Sequence, residues 1–278
     1  MTDVIYHRFV VLDGTLIHYT ESGNGRDIML LVHGLGASVV AWRKNISCFS
    51  TSHKVYAIDL PGHGDSGGYI RDYSVQNGVR ILTEFITVLG LSRVTLVGNS
   101  LGGLLAMRVA LDASASVGRL VLVSTVGLGR ELSWYLRLAS LPVVGTFLQN
   151  HTVVADRVVL RNIFHQSRSV EPDLIKEIMR VRNISQTRHT TLKIIRSGVS
   201  LRGLRSELQL VRMLTSLEMP ILLIWGNEDR IVPVSQALLA LRALPLLRLH
   251  VFKLCGHWPQ MERFEEFNRL VLDFLKSA

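Results

Sequence analysis

The sequence is poor in cysteine: the two it has, Cys48 and Cys255, lie too far apart to form a disulfide framework or a multi-cysteine metal site. No apolar run is long enough to cross a bilayer. The opening residues, MTDVIYHRFVVLDGT, lack the basic start and apolar stretch of a secretion signal. These absences lead us to expect a reducing, cytoplasmic setting. Charged residues are scarce at 19% and hydrophobic residues make up 48%, a balance that excludes a disordered chain. There are no internal repeats, low-complexity tracts or blocks of like charge, which argues against solenoids and charged tails.

Acidic residues are also under-represented, and unevenly so. The formal net charge is +9 over 278 residues, yet residues 128–212 hold 14 Lys and Arg against 6 Asp and Glu, while the remainder is almost balanced at 17 against 16. One segment therefore carries nearly all of the surplus. That suits an insert with its own surface task, such as attracting an anionic substrate or making weak contact with a membrane surface. A solvated cationic face is the plainer explanation. No recognised binding motif accompanies the charge, so nucleic acid is not expected as a partner.

What is present is an alternation of strands and helices. VIYHRFVVL, a turn at Asp13-Gly14 and TLIHYTE read as a hairpin. IMLLVHG, KVYAIDLPG, RVTLVGNS and RLVLVST read as buried parallel strands, separated by helical stretches such as YSVQNGVRILTEFITVL and LGGLLAMRVALDA. The pattern then breaks. Residues 128–212 show helical pieces, ELSWYLRLASL, PDLIKEIMRVRN and TTLKIIRSGV, and no clear strand. Alternation resumes with PILLIWG, VSQALLALRAL, LRLHVF and MERFEEFNRLVLDFLKSA. The expectation is an α/β fold: a mostly parallel sheet flanked by helices, with core segments 1–127 and 213–278 and a helical cap, 128–212, between the sixth and seventh strands.

G-x-S-x-G occurs twice. Gly98-Asn99-Ser100-Leu101-Gly102 follows a strand and opens a helical segment, the tight turn that lifts a serine oxygen above a sheet. Gly64-Asp65-Ser66-Gly67-Gly68 follows the loop LPGHG and opens no helix, so it reads as a turn-rich loop. A serine hydroxyl needs a base to take its proton. Among ten histidines, His257 is the candidate, placed after the last predicted strand in KLCGHWPQME. His33 opens a Gly-rich turn where backbone geometry matters more than the ring, and His63 lies in the turn PGHG. His151, His165 and His189 belong to the insert and suit surface or core roles.

The base in turn needs a carboxylate to fix its tautomer. Asp229 in GNEDRIVP is the candidate, with Glu228 as neighbouring rival; LVSTVG, after the sixth strand, offers no acid. The developing oxyanion requires two N–H donors. Leu101 supplies the one after the nucleophile, and Leu35 in His33-Gly34-Leu35-Gly36 is the choice for the other. Cys255 reads as a small buried filler. This chemistry calls for no cofactor and no metal.

HGLG, DLPGHGDSG, GNSLGG, GNEDRIVP and CGHWPQME, in this order, resemble the α/β-hydrolase superfamily over the whole core. Haloalkane dehalogenases and epoxide hydrolases are set aside, because they carry an Asp where this chain has Ser100. The nearer look-alikes are carboxylesterases and meta-cleavage-product hydrolases, which split C–C bonds in 2-hydroxy-6-oxo-dienoates. Asn99, Trp258 and the tail EEFNRLVLDFL resemble the second group, in which such an Asn and Trp line the substrate pocket and a cap arginine grips the substrate carboxylate. Arg182 or Arg180 falls near that place. HGLGAS lacks the Gly-Pro step common in C–C hydrolases and looks more like an esterase. The resemblance thus implies a serine hydrolase acting on a small acyl or ester substrate. The carboxylesterase reading is preferred, because it asks for nothing beyond triad and oxyanion donors. C–C hydrolysis is the alternative, and a slow-turnover receptor on the same fold a third reading. Substrate-binding expectations fall on Gly34, Asn99, Trp134, Arg182 and Trp258, with Leu132, Leu136 and Leu138 beside Trp134 as an apolar pocket roof. An oligomer is not indicated.

Overall fold

Eight strands form the central sheet, in the order β1-β2-β4-β3-β5-β6-β9-β10. They are β1 (Tyr6–Leu12), β2 (Thr15–Ser22), β3 (Ile28–Val32), β4 (Lys54–Ile58), β5 (Val94–Asn99), β6 (Val117–Val123), β9 (Ile221–Gly226) and β10 (Arg248–Phe252), with a separate short pair, β7 (Val199–Ser200) and β8 (Gly203–Leu204), between β6 and β9. This computed structural model describes residues 4–277 apart from 68–71, 149–152, 168–169 and 245–246; His151 and Gly68 lie outside the described residues. β1 and β2 are antiparallel, β2 pairs antiparallel with β4, and the pairings from β4 through β10 are parallel.

The sequence pattern explains this order. β5 and β9 are buried at every residue and β3 at all but its first, as expected for central strands covered on both faces. Alternate side chains feed two cores. Leu30, Val32, Leu96, Leu122 and Leu223 join one cluster; Met29, Leu31, Val97, Val121 and Ile224 join the other. β1, by contrast, is an edge strand with mostly exposed side chains. It turns into β2 through Asp13 and Gly14, both at positive φ (45° and 73°), the backbone that a two-residue hairpin turn requires.

The helices are α1 (Ile46–Phe49), α2 (Val75–Val88), α3 (Leu101–Asp112), α4 (Trp134–Ala139), α5 (Pro142–Leu148), α6 (Val153–Ile163), α7 (Pro172–Asn183), α8 (Ser185–Gly198), α9 (Ser235–Ala243), α10 (Pro259–Glu262) and α11 (Phe264–Ser277). Ser74 caps α2 by accepting from Asn77 N at 3.2 Å, an N-cap interaction of about 1 kcal/mol. α11 begins with Glu265 and Glu266 and ends with Lys276, charges that suit the helix dipole.

The segment expected to be helical does hold α4 to α8, and it adds the β7–β8 pair. Each of those strands is two residues long, too short to leave a period-2 signal. The segment leaves and rejoins the sheet at one place: Leu210 N donates to Gly127 O at 2.6 Å, and Leu204 N to Arg130 O at 2.9 Å. It follows β6 and precedes β9, so its helices lie at the carboxyl end of the parallel strands, where α/β sheets bind their ligands. Among the described residues no helix is long and apolar enough to cross a membrane.

Candidate active site

Ser100 occupies the single residue between β5 and α3, with φ 55° and ψ −115°. A non-glycine residue adopts this backbone only where its surroundings force it, and the neighbouring glycines show how. A Cβ on Gly98 would lie 2.4 Å from Gly102 O, and one on Gly102 would lie 2.2 Å from Val32 O. Strand, turn and helix are packed too closely for any larger residue. Ser100 N donates to Val123 O at 2.9 Å, which fixes the turn to β6.

His257 lies on the loop after β10 and Asp229 on the loop after β9. Nδ1 of His257 donates to Oδ2 of Asp229 at 2.8 Å, with both side chains buried. The other Asp229 oxygen, Oδ1, accepts from Ile231 N (2.8 Å) and Val232 N (3.0 Å), so the carboxylate is aimed before it meets the imidazole. Glu228 instead meets the neighbouring Asn227 amide at 3.2 Å. An Nδ1–H tautomer leaves Nε2 able to accept a proton. Ser100, His257, Leu35 and Leu101 line one cavity, and among the described residues the backbone N–H groups of Leu35 and Leu101 meet no backbone acceptor.

Gly34, Asn99, Arg182 and Trp258 line the same cavity. A Cβ on Gly34 would come within 3.0 Å of Ser100 Cβ and 3.1 Å of Asn99 Oδ1, so the glycine keeps the floor open. Asn99 Nδ2 donates to Val123 O (3.1 Å) and His257 O (3.3 Å). Its Oδ1 is buried without a hydrogen-bond partner among the described residues. Trp258 packs edge-on against Phe164, ring centroids 5.7 Å apart. Arg182 Nη1 lies 3.2 Å from where a Gly36 Cβ would be, which puts the guanidinium beside the loop that carries Leu35.

Trp134 does not join them. Its side chain is 60% exposed, and it does not line the cavity. Leu132, Ser133 and Leu136 do; Leu136 is two residues beyond Trp134 on α4, so the two side chains point to nearly opposite sides of the helix. Leu138, two beyond Leu136, is likewise absent from the lining. The same spacing separates Arg180 from Arg182: Arg180 is exposed and faces Asp65 at 3.9 Å. Tyr135, Asn162 and Thr191 line the cavity and were not anticipated, since they lie in helices that carry no motif.

The second G-x-S-x-G is spent on structure. Ser66 Oγ donates to Asp59 O (2.7 Å) and accepts from His18 N (2.9 Å). Asp59 is an organiser that sequence reasoning passed over. Its carboxylate accepts from Val39 N, Asp65 N and His18 Nδ1 at 2.7, 2.9 and 2.7 Å. Burial alone would raise its pKa; the His18 hydrogen bond, nearby His33 and the two N–H donors bring it below the usual carboxylate value. The His33 ring matters more than expected: Nδ1 donates to Gly34 O (2.7 Å) and Nε2 accepts from Leu60 N (3.0 Å). Burial lowers its pKa, which suits the neutral form these bonds need. His63 is also fully buried, and burial, helped by His33, lowers its pKa to about 3. Burial raises the pKa of the Cys255 thiol, as befits a filler. His165 and His189 lie outside the cavity.

Glu262, also unanticipated, ties the histidine loop to the inserted segment. Oε1 accepts from Gly256 N (2.7 Å) and Oε2 from His165 N (2.9 Å). Alongside, His257 N donates to Ile163 O at 2.7 Å.

A buried serine in a strained strand-to-helix turn, a histidine held by a carboxylate and an eight-stranded, mostly parallel sheet define a class. The chain belongs to the alpha/beta hydrolase family, whose profile matches residues 29–270, and it is a hydrolase. It is similar, at 30% identity over 94% of this chain and 91% of the other, to 2-hydroxy-6-oxononadienedioate/2-hydroxy-6-oxononatrienedioate hydrolase 2 of Pseudomonas putida. It is 28% identical, over 96% and 93% of the two chains, to the 2-hydroxy-6-oxo-6-phenylhexa-2,4-dienoate hydrolase of Comamonas testosteroni. Among solved structures, the meta-cleavage product hydrolase of Pseudomonas fluorescens IP01 superposes with a TM-score of 0.82 at 25% identity, covering 98% of each chain.

Proposed function

We propose that this protein hydrolyses the C–C bond of a 2-hydroxy-6-oxo-dienoate with one carboxylate and an apolar acyl end, using Ser100 as nucleophile, His257 as base and Asp229 to orient it. The observation that carries this reading is the make-up of the cavity. Among its described lining residues Arg182 is the only Lys or Arg, there is no acid, and the rest is dominated by Leu, Ile and Val side chains. A plain carboxylesterase, the reading preferred from sequence, has no use for a guanidinium next to the oxyanion loop. The names of the relatives also favour the C–C reading over the ester one.

The chemistry explains the need for a cation. Moving the proton of the C2 hydroxyl to C5 gives a ketone at C2 and makes C5 a saturated carbon. Ser100 Oγ then attacks C6 as His257 Nε2 takes its proton, and the N–H groups of Leu35 and Leu101 hold the oxyanion. When the C5–C6 bond breaks, its electron pair passes through the C3–C4 double bond to the C2 oxygen, beside the carboxylate. Arg182 stabilises both charges there. The departing dienolate takes the proton that His257 received and leaves as the 2-hydroxydienoate. Neutral His257 then deprotonates water, which releases the acyl group as a carboxylic acid while His257 returns a proton to Ser100 Oγ. Each dienoate and water thus yield one acid and one 2-hydroxydienoate. Asn99 Oδ1 provides an acceptor for the substrate hydroxyl. Leu35 and Leu101 act here only through their backbones, and residues 128–212 serve as the cap that supplies Arg182 and most of the apolar wall.

One apolar end distinguishes this site from one built for a dioate, whose second carboxylate would lie unpaired among leucines at a cost of several kcal/mol. The test is Arg182→Leu, assayed on a 6-phenyl dienoate and on a neutral p-nitrophenyl ester. Loss of one charge-assisted contact, about 1.5–3 kcal/mol, should lower kcat/KM for the dienoate by about 10- to 100-fold and change ester turnover less than about 3-fold. Equal losses on both substrates would refute the role of Arg182.

A further inference from the structure

The misplacement of Trp134 has a counterpart on the next helix. Val143 and Phe147, four residues apart and so on one face of α5, are 82% and 74% exposed, beside Trp134 at 60% and Leu201, at the β7–β8 turn, at 53%. These residues sit on connected elements. α4 packs on α5, α8 packs on both, and β7 packs on α4. Tyr135 Oη donates to Leu148 O at 3.2 Å, which brings the start of α4 to the end of α5. Monomeric soluble proteins seldom leave large apolar side chains grouped in this way.

The charge around them has one sign. From Leu132 to Ala155, and again from Ile178 to Ser206, the sequence contains no Asp or Glu. Those two stretches carry Arg137, Arg188, Lys193, Arg196, Arg202 and Arg205, besides Arg180, which faces Asp65, and Arg182, which lines the cavity. Arg196 is engaged with Pro142 O and Thr146 Oγ1 (2.5 and 3.0 Å) and so braces α5. Lys193 and Arg202 are exposed on the elements that flank the patch.

We propose that this outer face, formed by α4, α5 and the β7–β8 turn, docks on an anionic lipid bilayer. Trp134, Val143, Phe147 and Leu201 enter the headgroup boundary, while Lys193 and Arg202 lie over the lipid phosphates. Apolar side chains in a cationic, acid-free setting are the signature of in-plane membrane binding. α4 also lines the substrate cavity through Tyr135 and Leu136, so docking brings the cavity roof close to the lipid. The proposal stands apart from the choice of substrate.

The protein carries its own reporter. Of four tryptophans, Trp42 and Trp225 are fully buried and Trp258 is 5% exposed, leaving Trp134 as the exposed one. The full chain should co-sediment with phosphatidylcholine vesicles containing phosphatidylglycerol and not with phosphatidylcholine alone. Binding should weaken at least tenfold between about 0.05 and 0.5 M salt. Brominated lipid should quench Trp134 emission on binding. A Trp134→Ser/Phe147→Ser variant, shown to be folded by thermal unfolding, should partition at least tenfold more weakly, and Lys193→Gln/Arg202→Gln should lose most of the salt dependence. The proposal is overturned if anionic vesicles capture no protein or if binding survives loss of the apolar pair. It is equally overturned if sedimentation without lipid shows a dimer that Trp134→Ser/Phe147→Ser abolishes, which would make the face a contact between two copies.

Discussion

Removing the Glu262 carboxylate should unseat His257 without touching the triad. In Glu262→Ala the N–H groups of Gly256 and His165, held at 2.7 and 2.9 Å, lose their acceptor together. Each donor left unmet costs about 1–3 kcal/mol. The site is half-buried, so water replaces part of that, and a total near 2–4 kcal/mol in urea unfolding is expected. The kinetic effect comes through Gly256, the residue before His257. A shift of about 1 Å in a reacting group costs on the order of 10² in rate, so kcat should fall about 10- to 100-fold while KM changes little. Glu262→Gln should fall between, because its amide oxygen can still receive the Gly256 N–H while its amide nitrogen confronts the His165 N–H. An alanine variant within about 0.5 kcal/mol of wild type in stability and within twofold in kcat would refute the reasoning. The histidine loop would then be held well enough by Asp229, Ile163, Asn99 and Glu228.

Three other outcomes follow from the same geometry. A fluorophosphonate should label wild type at Ser100, and labelling should vanish in Ser100→Ala and persist in Ser66→Ala; the reverse pattern would exchange the two serines. Ser66→Ala should instead lower stability by about 1–3 kcal/mol, because the Asp59 carbonyl and the His18 N–H lose their partner. His63, with a pKa of about 3 against 6.5 for an ordinary histidine, stays neutral in the native state while the unfolded chain takes up a proton. Stability therefore falls as pH drops from 6.5 towards 4, by about 1.4 kcal/mol per pH unit for this group. His63→Asn, which keeps a donor for the Pro61 carbonyl, should remove this group's share and leave the shallower slope of His33 and His53, whose pKa values burial also lowers. An unchanged pH dependence would show that His63 carries none of it.

How much of this was legible in the sequence depends on what kind of signal each part leaves. The central strands were readable because burial on both faces demands uninterrupted apolar runs such as ILLIWG. The turn at Ser100 was readable because its close packing admits only glycine at positions 98 and 102. Asp229 and His257, named from their places after two strands, do meet at 2.8 Å. The inserted segment was a different matter. An apolar helix announces that it packs, and its composition does not say which side faces the cavity; Trp134 was assigned inward and points out, while Tyr135 points in. Arg182 was preferred over Arg180 on a weak match, and only the direction of each side chain on α7 separates them. Glu262 and Asp59 stood inside quoted motifs, CGHWPQME and DLPGHGDSG, yet their roles were not legible, because their partners are mostly backbone N–H groups, with His18 for Asp59, brought near by the fold. The preference for an ester substrate rested on what was visible, the triad and HGLG; that Arg182 is the one Lys or Arg among the described residues lining the cavity was not visible.

The most direct test of the account is turnover of 2-hydroxy-6-oxo-6-phenylhexa-2,4-dienoate by wild type and by Ser100→Ala, with loss of dienol absorbance and release of benzoate measured together. The account predicts one benzoate per dienoate consumed and a kcat/KM at least tenfold above that for p-nitrophenyl butyrate, with benzoate release lost by a factor of about 10⁴ or more in Ser100→Ala. A wild-type enzyme that cleaves the ester and leaves the dienoate untouched would contradict it.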